Sequence, residues 1–370
     1  MATTLMAEAR SQILRLIAEL QAQNERKLPT ERELAGMVDA SYATVRLVMS
    51  QLEAEGFIRK RRGSGTYIEA AAAELMRQSQ LRRLWYFSAP MPEGRCKDID
   101  YNWMMRSELV AAAAELDWKV ETRQVRTHDE FLHGMRTLVK PGEGVIYLPP
   151  SESLTLPQLG ALSRFDRHPL VVIDYDMGNL SLCNILTDNR RGGMLAARHL
   201  LANGPRNLSV LFCEPPLRQA QARVQGFCEI AEMAGVTAEI INCHVGVTDD
   251  RELLTYHRLR EYWQSGGRTE GIFAISDNGA FGALRALREA GVVVGEDVSL
   301  IGFDGLPRGL TLDPKLCTIV QPCREICQAA LQALQNWSPG RQSQLYFSPV
   351  FRAGDTLRSC ENVDLLTAIR

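Results

Sequence analysis

Residues 28–68 read LPTERELAGMVDASYATVRLVMSQLEAEGFIRKRRGSGTYI, and the spacing of their apolar, capping and cationic residues sets the fold of the amino-terminal part. Thr30-Glu31-Arg32-Glu33 has the pattern of a capping box, in which the threonine hydroxyl accepts the Glu33 amide and the Glu33 carboxylate reaches back. Pro29 discourages an earlier start. A short helix is expected from Glu31 to about Met37, with Leu34, Met37 and Val38 facing inward. Asp39-Ala40 turns the chain, and Ser41 is a natural N-cap for a second helix. On that helix Val45, Val48, Met49 and Leu52 make one buried stripe, while Tyr42, Arg46 and Ser50 share the solvent side. Two helices joined by a tight turn, the second presenting an arginine outward, describe a helix-turn-helix.

Residues 57–68 complete the device. Two β-prone ends flank a turn where Gly63 and Gly65 can take positive φ, which predicts a hairpin, or wing. Arg59, Lys60, Arg61 and Arg62 run up to its tip. From Ala40 to Ile68 five cations (with Arg46) face two anions, Glu53 and Glu55. A phosphate backbone is held by cations at this density, and a glycine-tipped loop approaches a groove closely.

These residues carry a resemblance. Over about residues 5–68 the chain is similar to the winged helix-turn-helix of GntR-family bacterial regulators, which run LPSERELA, a short spacer, SRxTVR, LExEG and a basic wing ending GxGT. The resemblance implies a double-stranded DNA operator as partner, contacted by Arg32, Ser41, Tyr42, Thr44, Arg46, Arg59, Lys60, Arg61, Arg62, Gly63, Ser64 and Gly65. Ser41 and Thr44 read equally well as caps. Tyr42 replaces a usual arginine and Leu47 a common lysine, so operator preference and phosphate grip are expected to differ.

The chain has 370 residues, enough for two or three domains. Its hydrophobic (45%) and charged (23%) fractions are those of a soluble globular protein, and a net charge of −2 places nucleic-acid binding in a local patch. No cationic start with an apolar core and no run of 18 apolar residues appears, so a cytoplasmic protein without a membrane span is expected. Nine cysteines, odd in number and scattered, suit reduced thiols. Cys323 and Cys327 lie one helical turn apart without partners of zinc spacing, so no metal and no cofactor are expected. The histidines form no paired set beyond His128 and His133. There is no phosphate-binding loop, HExxH, nucleophile elbow or GxGxxG, so no catalytic residues are assigned.

An opening helix is expected over residues 5–23, with Ala9, Ile13, Leu16, Ile17 and Leu20 on one face. Residues 70–83 read as a linker with helical leaning. From about Leu84 apolar strands (84–87, 118–125, 145–148, 170–174, 208–213, 238–241, 271–275, 298–303) alternate with amphipathic helices (102–116, 128–139, 155–165, 190–202, 217–234, 249–264, 277–290). Such alternation means α/β structure with parallel sheets covered on both faces, here two sheets. Ligands in such folds lie beyond the carboxyl ends of strands. Asp304 ends one strand, Ser276 and Asp277 follow another, Arg223 precedes Gly226-Phe227, and Gln321 follows CTIV. A carboxylate and a guanidinium facing one cleft suit a hydroxyl-rich ligand. Taken singly, Asp277 reads as an N-cap, Asp304 as a turn former and Arg223 as a surface cation.

The runs VVIDYDMGNLSLCNILTDNRRGGMLAARHLLANGPRNLSVLF, RVQGFCEIAEMAGV and SDNGAFGALRALREAGVVVGEDVSLIGFDG, then LCTIVQP, resemble the effector domain of LacI/GalR-type regulators over about residues 84–356. That implies a periplasmic-binding-protein-like domain of two Rossmann-like lobes with a cleft between them. The implied lobes are 84–185 with 305–338, and 186–304 with 339–360. Arg223, Ser276, Asp277, Asp304 and Gln321 are the implied effector contacts, with Trp103, Tyr101 or Phe87 as a lid. Asp188 and Asn189 read as a cap. A GntR-type head on a LacI-type body, as in arabinose-responsive repressors, implies a homodimeric repressor released or engaged by a small carbohydrate. An enzyme using the cleft and a regulator without an effector are the alternatives.

Overall fold

The computed structural model describes residues 2–23, 25–69, 72, 83–90, 100–140, 143–165, 168–178, 180, 182–337 and 343–358. The chain folds as two units, Met1–Leu81 and Arg82–Arg370. The linker expected at 70–83 and the loop 91–99 lie outside the described residues, apart from Ala72 and Arg83.

In the first unit, helices α1 (Ala2–Ala22), α2 (Glu31–Met37) and α3 (Tyr42–Ala54) precede a hairpin of β1 (Ile58–Arg61) and β2 (Gly65–Ile68). Ala9, Ile13 and Ile17 recur every four residues on α1 and meet Leu34, Val45, Val48, Met49 and Leu52 in one core. The capping box forms: the Thr30 amide donates to Glu33 Oε2 at 2.7 Å and the Glu33 amide to Thr30 Oγ1 at 3.4 Å. Asp39 closes the turn at φ +44°. Met37, expected inward, is 63% exposed, because α2 turns only Leu34 into the core and Val38 enters it from the cap. The hairpin pairs Ile58 with Ile68 and Arg61 with Gly65. Its second strand is zipped to the segment before α2, the Leu28 amide donating to Thr66 O and the Ile68 amide to Arg26 O.

The second unit holds two six-stranded sheets. In the first sheet β3 (Arg83–Ser88), β4 (Lys119–Gln124), β5 (Gly144–Leu148), β6 (Leu170–Ile173), β7 (Cys183–Thr187) and β13 (Ser343–Phe347) lie in the order β13-β7-β6-β5-β3-β4, all parallel. In the second, β8 (Leu208–Phe212), β9 (Ala238–Asn242), β10 (Gly271–Ala274), β11 (Ser299–Asp304), β12 (Cys317–Val320) and β14 (Val350–Arg352) take the order β14-β12-β11-β10-β8-β9, parallel except for β14. The helices are α4 (Tyr101–Ala114), α5 (His128–Thr137), α6 (Leu156–Leu162), α7 (Asn189–Ala202), α8 (Arg218–Met233), α9 (Arg251–Gln264), α10 (Asp277–Glu289) and α11 (Cys323–Gln335). The chain passes between the lobes three times, after β7, after β12 and after β13.

Two expected boundaries move. β12 pairs with β11, so the second lobe runs to about residue 320 and not 304. β13 pairs with β7, so the first lobe keeps the chain through residue 347 and not 338. Hydrogen-bonded neighbours decide both: the paired residues of β12 and β11 are 16 apart in the chain, those of β13 and β7 are 160 apart. Strands β7, β12, β13 and β14 and helix α11 add to those expected.

Candidate functional site

The head presents one polar face. Ser41 caps α3, accepting the Thr44 amide at 3.1 Å and sharing a 2.8 Å hydrogen bond with the Thr44 hydroxyl. The cap orients the first turn of α3, from which Tyr42 (47% exposed), Arg46 and Leu47 project into solvent. Arg32 is exposed on α2, and Arg59 to Gly65 are exposed along the wing. Gly63 and Gly65 adopt φ +76° and +114°, as the tight tip requires. Tyr67 stiffens the tip: its hydroxyl lies 2.7 Å from Ser64 Oγ, and the Arg61 guanidinium stands 5.0 Å from its ring centroid. Lys60 differs from its neighbours, with Nζ 2.8 Å from Glu31 Oε1.

In the second unit the strand carboxyl ends of both sheets bring polar residues together. Arg223 is 6% exposed. Its Nε donates to Asn189 Oδ1 at 2.8 Å and its Nη1 to the Ile275 carbonyl at 2.7 Å, with Asp304 Oδ1 3.5 Å away. The guanidinium stands 3.7 Å from the Phe303 ring centroid. Close helix packing puts it there: a Cβ on Gly226 would meet the Arg190 carbonyl at 1.9 Å, and one on Gly193 the Arg223 carbonyl at 1.9 Å. The glycine in RVQGF therefore serves to seat the arginine. Asp304 holds φ +121°, an angle that residues with side chains avoid and that clusters at functional sites. Gln321 Nε2 donates to Asp304 Oδ1 at 2.8 Å, and Thr187 Oγ1 donates to Gln321 Oε1 at 2.7 Å. Thr187 and Gln321 each stand at a crossing between lobes, so this chain of bonds ties both lobes to one carboxylate. Burial pushes the Asp304 carboxyl well above its ordinary range, against the pull of Arg223.

Two expected contacts have other duties. Asp277 is fully buried, its Oδ1 accepting Thr318 Oγ1 at 2.6 Å and its Oδ2 the Leu306 amide at 2.7 Å. With both oxygens engaged beneath β11, it anchors the loop after Asp304 and does not face the cleft; burial raises its pKa to about 7. The N-cap of α10 is Ser276, not Asp277: the serine accepts the Gly279 amide at 3.4 Å and is 1% exposed. Phe87 is core. Trp103, 42% exposed, lines a cavity of about 330 Å³ with Met104, Pro307, Val320 and Gln321.

Other residues join the cleft. Asp174, at φ +49° after β6, is 9% exposed, and its Oδ1 and the buried Tyr101 hydroxyl neighbour each other without a well-formed hydrogen bond. Burial raises the Asp174 carboxyl, offset in part by Arg223. Arg251 donates to Glu214 at 2.7 Å and is felt by Asp304. Asp174 ends an apolar strand as Asp304 does, and that signal was available in the sequence. Asn189, beyond a helix-start role, holds Arg223; Asp188 is the cap, accepting the Arg191 amide at 2.9 Å. Among the described residues no group of three His, Cys, Asp or Glu side chains is placed to hold a metal ion, and no helix is long and apolar enough to cross a membrane.

Comparison with known proteins agrees with both parts. Residues 5–68 match the bacterial regulatory proteins of the gntR family, and residues 197–345 the periplasmic binding protein-like domain. The chain is thus a DNA-binding transcriptional regulator. It joins a gntR-family helix-turn-helix to a periplasmic-binding-protein-like effector domain. It is 25% identical over 336 residues to the arabinose metabolism transcriptional repressor of Geobacillus stearothermophilus, covering 89% of this chain and 90% of that protein. It is 30% identical over 173 residues to the ribose operon repressor of Haemophilus influenzae, covering 45% and 49% of the two chains. The second unit shares its fold with a LacI family transcriptional regulator from Enterococcus faecium with bound ribose: TM-score 0.62, 19% identity, 75% of this chain and all of that one.

Proposed function

We propose that the chain is a cytoplasmic, homodimeric repressor whose grip on its operator is set by a small carbohydrate bound between the two lobes. Two heads place α3 in successive major grooves of a near-palindromic site. Arg32, Tyr42 and Arg46 contact bases and phosphates, and the wing arginines follow the adjoining backbone or minor groove. In the cleft Asp304 and Asp174 accept from neighbouring hydroxyls while Arg223 donates to ring or hydroxyl oxygens. Closure of the lobes on the sugar alters the separation of the heads. By linkage, ligand and operator then weaken each other equally.

The observation that carries this reading is the buried chain Thr187–Gln321–Asp304–Arg223, which spans two interlobe crossings, beside the Asp174 carboxylate and the Tyr101 hydroxyl. The Tyr101 hydroxyl and the Asp174 carboxylate neighbour each other without a well-formed hydrogen bond, and a ligand hydroxyl can complete both. The test is thermal unfolding of the full chain against pentoses, hexoses, sugar phosphates and purines. A true effector at a hundred times its Kd adds about 2.7 kcal/mol, and the same compound changes retention of a duplex enriched from a random pool. Stabilisation by none of these compounds, with duplex binding intact, rejects the carbohydrate effector; turnover of any of them points to an enzyme.

A further inference from the structure

Successive residues of a strand face opposite sides. On β1, Ile58 is buried, so Lys60 two residues on faces the same way, toward the helices, while Arg59 and Arg61 face away. Lys60 is held on that side at three points. Its Nζ lies 2.8 Å from Glu31 Oε1 at the start of α2 and 4.0 Å from Glu53 Oε2 near the end of α3. Its backbone N–H donates to Glu53 Oε1 at 2.9 Å. The Glu31 side chain is 19% exposed and also neighbours Tyr42 and Arg46. Were Lys60 to swing out to a phosphate, both carboxylates would lose their shared counter-charge beside a polyanion, leaving Glu31 with Arg46 alone. Resting on the reading that this face meets DNA, we infer that Lys60 is a positioning residue: with Glu31 and Glu53 it latches the wing to α2 and α3, and of the four wing cations Arg59, Arg61 and Arg62 alone grip phosphates.

Salt dependence separates the two roles, since each lost phosphate contact lowers the slope of log K against log salt by about one. The full-length chain and its variants are titrated with a duplex enriched by the wild type from a random pool, and with random duplex at low salt. Arg62→Gln is expected to reduce the slope by about one. Lys60→Gln is expected to weaken binding roughly threefold to tenfold with the slope changed by less than about half a unit, and Lys60→Arg to restore affinity. The sign for Glu31→Gln is decisive. If Glu31 merely competed with phosphate for Lys60, its removal would tighten binding; a latch requires that it weaken binding.

Hydrogen exchange of the wing amides, measured without DNA, keeps the latch testable on its own. Faster exchange across residues 59–65 in Lys60→Gln and Glu31→Gln, but not in Arg62→Gln, supports it. Unchanged wing exchange in Lys60→Gln, a slope lowered by about one in Lys60→Gln, or tighter binding by Glu31→Gln overturns it. Absence of wild-type binding to any duplex instead rejects the assignment of this face to DNA, while the exchange data still decide the latch.

Discussion

The head and the cleft both depend on arginines, and they treat them oppositely. Arg46 and the wing arginines are exposed, and none of them belongs to the head's core. Arg223 is buried against Phe303 and committed to Asn189, Ile275 and Asp304 before any ligand arrives. An exposed cation costs nothing to keep and acts on a polyanion through long-range attraction. A buried one must be neutralised in place, and its gain is a fixed geometry for a small neutral partner. Loss of an arginine should therefore damage stability in one unit and only binding in the other.

The largest effect is expected at the buried pair. Arg223→Met takes the buried donor from the Asn189 side-chain oxygen, the Ile275 carbonyl and Asp304, and should cost about 3–5 kcal/mol of body stability, read by denaturant unfolding of the full chain. Next is the exposed counterpart: Arg46→Ala should weaken duplex binding by about 1–3 kcal/mol while leaving unfolding within about 0.5 kcal/mol of wild type. A destabilised Arg46→Ala protein, or a fully stable Arg223→Met one, would erase the contrast. Thr30→Ala removes a capping box and should cost about 1 kcal/mol in the head alone, visible as faster amide exchange in α2 with ligand binding unmoved.

The smallest effect is one of pH. His128 is buried in the first lobe, its Nδ1 2.9 Å from the Tyr147 hydroxyl and its Nε2 3.1 Å from the Glu152 carbonyl. Burial holds its pKa below the ordinary 6.5. The unfolded chain then binds more protons than the folded one in mildly acid solution. The contribution is full above the unfolded value and is lost as pH falls through the folded one. The buried Asp174, Asp277 and Asp304 carboxyls, whose pKa values are raised, pull the other way, so the His128 contribution is read as a difference: between about pH 7 and about pH 5 the melting temperature of the body should fall further, or rise less, in the wild type than in His128→Gln.

Much of the head was legible from local spacing. The capping box, the Ser41 cap, the Val45–Leu52 stripe and the glycine-tipped hairpin all involve partners a few residues apart, and all are present. Met37 marks the limit, since a seven-residue helix shows one face to the core and periodicity alone does not say where that face ends. In the body the motifs containing Arg223, Asp304 and Gln321 converge on one network. Ser276 takes the cap role that Asp277 was expected to fill and Asp277 becomes a buried anchor, because the two roles share the same local sequence and differ only in what packs above them.

What the sequence determined by itself was the inventory: a cationic helix-turn-helix with a wing, then two rounds of parallel α/β units ending in polar residues. Capping, alternation and helical period act over a few residues, so local chemistry suffices to specify them. Which lobe owns β12 and β13, why Asp277 turns inward, and how Asn189, Thr187 and Asp174 join the cleft were decided by tertiary structure alone. Those outcomes depend on strand partners and buried donors outside the local element, brought together from 34 residues apart for Asn189 and Arg223 and from 134 for Thr187 and Gln321.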